Sequence, residues 1–90
     1  MGLKRSSLAQ NYPNPFSQST IIKYEITKRE RVSLIVYDLS GKEVKTLVNG
    51  EQPAGTYEVD FDGSKIESGT YIIELKTGLF KETKKMIRLK

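Results

Sequence analysis

Two stretches hold residues whose types and spacing could do chemistry. Asp60-Phe61-Asp62-Gly63 sets two carboxylates two residues apart beside a glycine, the start of an oxygen-lined turn of the kind that wraps a hard cation such as calcium. A helix-flanked calcium loop needs further oxygen donors and a bidentate glutamate at fixed later positions, which do not follow here, so Asp62-Gly63 reads as a turn. Ser40-Gly41-Lys42 pairs one glycine with one lysine, whereas a phosphate loop needs a longer glycine-framed run opening a helix. Glu25, Glu58, Asp60 and Glu74 could form a hydrolytic pair only by converging in a cleft, yet each falls at an outward strand position. With no histidine and no cysteine, the chain lacks the general base of neutral pH, the common nucleophile pairings and the soft-metal ligands. Most enzyme classes are excluded, and no cofactor or metal is expected.

The elements that position these residues are strands. Ile22, Tyr24 and Ile26 alternate with Lys23 and Glu25; Val32, Leu34 and Val36 form a second period-two set. Tyr57, Val59 and Phe61 alternate with Glu58 and Asp60, and Tyr71, Ile73 and Leu75 alternate with Ile72 and Glu74. Val44, Leu47 and Val48 suggest a shorter strand, Leu8 to Asn11 a first one, and Phe80 to Leu89 a last one whose alternation slips near Lys84-Lys85 as at a bulge. Turn signals fall at Ser40-Gly41, Asn49-Gly50, Asp62-Gly63, Ser68-Gly69 and Thr77-Gly78, where glycine supplies the positive φ of tight turns. Ser64 to Glu67, with capping-box spacing, is long enough for one helical turn at most.

Ninety residues make one domain with a thin core, burying about 60–65% of the surface that the unfolded chain exposes. Seven short antiparallel strands at this spacing predict an all-β, immunoglobulin-like β-sandwich, with a small closed barrel as the alternative. Tyr57 and Tyr71, each two residues after a glycine, suit the sandwich role in which a ring packs inward and its hydroxyl reaches backbone at a corner. Residues 1–7 resemble an initiator and linker outside the fold, with the domain over 8–90 and the whole a piece of a longer chain.

Fifteen basic against eleven acidic residues give a net charge of +4, with the excess toward the C-terminus. Such a tail could meet an anionic surface, but lysines on an edge strand also discourage sheet-to-sheet aggregation, and that reading is preferred. No aromatic-rich basic patch stacks on bases, so nucleic acid is not an expected partner. No apolar run reaches the roughly 20 residues that cross a bilayer as a helix.

Asn11-Tyr12-Pro13-Asn14-Pro15-Phe16 is not generic, because two prolines fixing φ around two asparagines make a stiff segment. It resembles the opening of the C-terminal sorting domains of the type IX secretion system of Bacteroidetes and related bacteria. The resemblance continues through Thr20-Ile21-Ile22-Lys23-Tyr24, Val36 to Val44, Pro53-Ala54-Gly55-Thr56-Tyr57, Ser68-Gly69-Thr70-Tyr71 and Lys84 to Lys90. Ser17-Gln18-Ser19 departs from the family, which often carries an asparagine and a proline there. The sequence also resembles the immunoglobulin-like domain of flagellar hook-capping proteins.

The resemblance implies a non-catalytic signal that takes an attached N-terminal cargo across the outer membrane, from the periplasm to the cell surface or beyond. The partners it implies are the cargo and the outer-membrane shuttle and sortase components. It implies recognition through Pro53, Gly55, Tyr57, Gly69 and Tyr71 and through Lys84, Lys85, Met86, Arg88 and Lys90 in the final strand. Of these, the glycines and tyrosines also suit turns and core corners. Two other readings are a carbohydrate- or surface-binding accessory module and a structural spacer or assembly domain. Sugar rings stack on exposed aromatic faces, but the chain has no tryptophan and Tyr37 is the one tyrosine of a clear strand on an outer face.

Overall fold

The computed structural model describes residues 5–90. Seven strands form among the described residues: β1 (Ser7–Leu8), β2 (Ser19–Ile26), β3 (Glu30–Asp38), β4 (Glu43–Gln52), β5 (Gly55–Asp62), β6 (Gly69–Thr77) and β7 (Phe80–Arg88). They build two antiparallel sheets, one ordered β1-β2-β5 and the other β4-β3-β6-β7, so the fold is the expected sandwich and not the closed barrel. The period-two sets explain why: Ile22, Tyr24, Ile26, Val32, Leu34, Val36, Ile73 and Leu75 all face the shared core and are buried.

Three expectations are corrected. Asn49-Gly50 is no turn: both residues lie inside β4, paired with Ser33 and Val32, and the chain crosses between sheets at Pro53-Ala54. β4 is therefore ten residues long, not short. Its pairing with β3 shifts twice, and both shifts leave an extra residue in β4, at Leu47 and Val44, so the bulges belong to this strand. Ser6 and Ser7, expected before the fold, belong to it: Ser7 pairs with Glu25, and the buried Ser6 accepts a hydrogen bond at Oγ from the Thr27 N–H at 3.2 Å. Residues 1–4 of the predicted linker lie outside the described residues.

Gly63 also has a different role from the one expected. Its φ is not positive. A Cβ there would come within 2.6 Å of Phe16 Cε2, so glycine is required by the close approach of a core ring. Phe16 is buried and meets Phe61 edge-on, with centroids 6.2 Å apart. Burying a phenylalanine contributes about 1.5–3 kcal/mol, which ties the Asn-Pro segment to the core.

The molecule is 43 Å long. One end carries the β2–β3, β4–β5 and β6–β7 connections with Ser6; the other carries the β3–β4 turn, residues 63–68 and Leu89.

Candidate functional site

Both tyrosine corners form as expected. The Tyr71 hydroxyl donates to the Glu67 carbonyl and the Tyr57 hydroxyl to the Pro53 carbonyl, each at 2.6 Å and each four residues back. The chain between must double back tightly, and the intervening Gly69 and Gly55 take φ of +149° and +155°, values that side-chain-bearing residues rarely adopt. Tyr57 stacks on Tyr24 at 5.2 Å, and Tyr24 donates to Gln52 Oε1 at 2.7 Å. Two stacked rings thus hold two consecutive residues, Gln52 and Pro53, where the chain changes sheets. Burial raises the Tyr24 and Tyr71 hydroxyl pKa values above the ordinary tyrosine value.

The last strand, β7, lies at an edge of the four-stranded sheet. Its pairing with β6 is unbroken from Phe80 opposite Thr77 to Arg88 opposite Gly69, so the bulge expected at Lys84-Lys85 is absent. Alternation looks broken in the sequence because Glu82 and Lys84 take inward positions at the rim of the sandwich. There they pair at 3.6 Å, each about a third exposed. Inward charges on an edge strand oppose the addition of a foreign strand.

A second device covers that edge. The backbone groups of β7 that point away from β6 include the Lys85 carbonyl, both polar groups of Ile87 and the Leu89 N–H. The Lys85 carbonyl accepts from Gln10 Nε2 at 2.7 Å and from Asn14 Nδ2 at 3.5 Å. The Ile87 N–H donates to Asn14 Oδ1 at 2.9 Å, the Phe16 N–H to the Ile87 carbonyl at 3.0 Å, and the Leu89 N–H to the Phe16 carbonyl at 2.7 Å. One side-chain amide and one backbone unit stand where a neighbouring strand would. Asn11 braces them from behind: buried, it donates to the Pro13 carbonyl and to Thr20 Oγ1. The Tyr12-Pro13 and Asn14-Pro15 bonds are both cis.

The sequence-predicted site residues are not brought together. Pro53, Gly55 and Tyr57 lie at the end of the molecule where Gly55 faces Ile26, while Gly69, Tyr71, Met86, Arg88 and Lys90 lie toward the other. Met86 is fully buried in the core. Lys84 points inward to Glu82, Arg88 is half-buried, and Lys85 and Lys90 are exposed. The clasp residues Gln10, Asn14 and Phe16 were not among the predicted site residues. The stiff Asn-Pro segment was visible as such, but the β7 groups that Asn14 meets lie 71 and 73 positions away in sequence.

On the outer face, Lys81 and Lys76 stand directly opposite each other and Lys85 stands opposite Ile72. Glu74 is 3.9 Å from Lys81 and accepts from the Tyr37 hydroxyl at 3.4 Å. At Asp60-Phe61-Asp62, Asp62 Oδ1 accepts from the Ser64 N–H at 2.9 Å, which with the Ser64 hydroxyl holds its carboxyl below the usual carboxylate range. Among the described residues, no group of three or more Asp or Glu converges in a way that could hold a metal ion.

The chain is a small antiparallel β-sandwich whose polar groups hold its corners and its last strand. The chain belongs to the family of secretion system C-terminal sorting domains, which it matches over residues 10–89. No curated protein matches it. It is a C-terminal sorting signal for type IX secretion, which implies an attached cargo, the machinery that moves it, and export to the cell surface or the extracellular space.

Proposed function

We propose that the domain does no chemistry of its own and is read as a folded object: it carries its N-terminal cargo through the periplasm and is engaged at the outer membrane by the shuttle and sortase components. Recognition runs through the outer side chains of β7, chiefly Lys81 and Lys85, with Lys90 beyond the strand. The observation that carries this reading is the placement of Lys81 directly opposite Lys76 on an exposed face. Glu74, 3.9 Å from Lys81, offsets one charge of the pair, and the other is left for an acidic partner to match. Strand addition along Lys85–Leu89 is not part of the reading, because Asn14 and Phe16 occupy that edge.

Arg5 and Ser6 lie at the β6–β7 turn end, opposite the end that holds Leu89. Cargo attached through Arg5 therefore leaves the C-terminal residues clear. The test is secretion of a fluorescent reporter carrying a signal peptide and residues 5–90, in hosts with and without a working type IX system. Export only from competent cells is expected; periplasmic retention in both, with the domain folded, refutes the reading.

A further inference from the structure

The two sheets have four edges, and three are protected. β7 carries inward charges and the Asn14–Phe16 clasp, β4 carries two bulges that disrupt its edge, and β1 is two residues long. β5 has none of these devices. It pairs with β2 in one unbroken register over eight residues and has no proline. On β2, the Ile21 and Lys23 carbonyls accept from the Tyr12 and Ala9 N–H groups, which puts the even-numbered residues of β2 toward β5. By the antiparallel pattern, Gly55, Tyr57, Val59 and Phe61 then bond to β2, and Thr56, Glu58 and Asp60 direct their N–H and C=O groups outward. Beside this edge the sandwich is open: a groove of about 380 Å³ runs between β5 and β4, lined by the apolar Val44, Leu47, Phe61 and Ile66 together with Lys45 and Lys65 and the two aspartates of β5.

From this we infer that the β5 edge is a docking site for an extended partner strand with apolar and basic residues at alternate positions. Its apolar side chains would enter the groove, and its basic ones would lie on the outer face beside Glu58, Asp60 and Asp62. Of these, Glu58 pairs with Lys23 at 3.4 Å and Asp62 is attracted by Lys65 and Arg88, which leaves Asp60 as the acid of the row with no basic partner of its own among the described residues. A second copy fits poorly, since antiparallel pairing of β5 with itself about Val59 sets Glu58 against Asp60. The inference deepens the export reading by naming where a partner strand binds, and it is tested in isolation, so that failure here leaves the reporter result standing.

The probe is the peptide acetyl-Val-Lys-Val-Lys-Val-Lys-Val-amide, titrated into the nitrogen-15-labelled chain. A peptide of the same composition with its valines and lysines in blocks serves as the control. Saturable shifts and slowed exchange at the amides of Thr56, Glu58 and Asp60 are expected from the alternating peptide alone. Asp60→Pro removes an outward donor without touching the β2 ladder and is expected to weaken binding about tenfold or more, whereas Asp60→Asn retains most of it. Thr56→Pro is the alternative blocker if Asp60→Pro unfolds. Equal binding of the blocked-sequence peptide, shifts centred on β4 or β7, no binding, or a dimer through β5 would each overturn the proposal.

Discussion

Asn14 acts as a strand for Ile87. Its Oδ1 takes the Ile87 N–H at 2.9 Å, 73 positions on, and its Nδ2 reaches the Lys85 carbonyl. An edge that would pair with any passing strand is thus closed by one side chain held between two prolines. Asn14→Ala removes both bonds and is expected to destabilise the domain by about 1–2 kcal/mol, because a partly buried N–H loses its partner. Hydrogen exchange at Ile87 should rise more than at Ile73 in the core, and an unchanged Ile87 rate would refute the clasp.

The two tyrosine corners differ in burial. Tyr71 is buried, whereas Tyr57 is half-buried and its bond to Pro53 is exposed. Tyr71→Phe leaves the Glu67 carbonyl short of a donor in a less wet place and should cost about 1 kcal/mol, with Tyr57→Phe costing less. Urea midpoints of the two variants measure the order. If Tyr57→Phe proves the worse, the contact with Pro53 matters more than its exposure suggests.

The inward sets of β2, β3 and β6 were legible because each has a neighbour on both sides and obeys period two cleanly. β7 was misread where Glu82 and Lys84 turn inward, since protection of an edge breaks the pattern that defines a strand. Asn49-Gly50 carried a strong turn signal, yet register against Ser33 and Val32 overrode it. The family resemblance picked out Gly55, Tyr57, Gly69 and Tyr71, whose bonds turn out to hold corners. The partners of Asn14 and Phe16 depend on which strands meet, and local spacing does not contain that.

Gly63→Ala tests the packing of the Asn-Pro segment. The added methyl meets the Phe16 ring at 2.6 Å and the Arg88 Cδ at 3.4 Å, and Phe16 is confined by Phe61 and the clasp. Overpacking of this kind costs about 1–3 kcal/mol. Phe16→Leu in the same chain should recover part of the loss; if the double variant is merely additive, the clash is not the cause.

Asp38 organises the β3–β4 turn. Its Oδ1 accepts from the Ser40 hydroxyl at 2.6 Å and from the backbone N–H groups of Ser40 and Lys42 at 2.9 and 3.0 Å. These donors, the Ser40 hydroxyl first, hold its carboxyl below the usual carboxylate range. A group with a depressed folded-state pKa stabilises above its unfolded value, near 4, and loses that contribution as the pH falls through the folded value. Asp38→Asn should therefore lower the urea midpoint at pH 7 but not at pH 2. Equal differences at both would show that shape, not charge, matters at this turn.

Truncating the chain at Lys85 would abolish export for two reasons that cannot be separated, because Met86 is core and Leu89 anchors Phe16. Point changes on the outer face separate them. Lys81→Glu combined with Lys85→Glu leaves every core contact in place and exchanges the solvent-exposed Lys81–Glu74 pair for one with the facing Lys76, so stability should hold within about 0.5 kcal/mol. If β7 is read by charge, reporter export should fall severalfold and in proportion to the charge removed. Lys84→Gln, which breaks the inward pair with Glu82, is the counter-variant and should leave export near wild type. Full export from the double glutamate variant would remove charge from the recognition mechanism and leave the β5 edge as the remaining candidate.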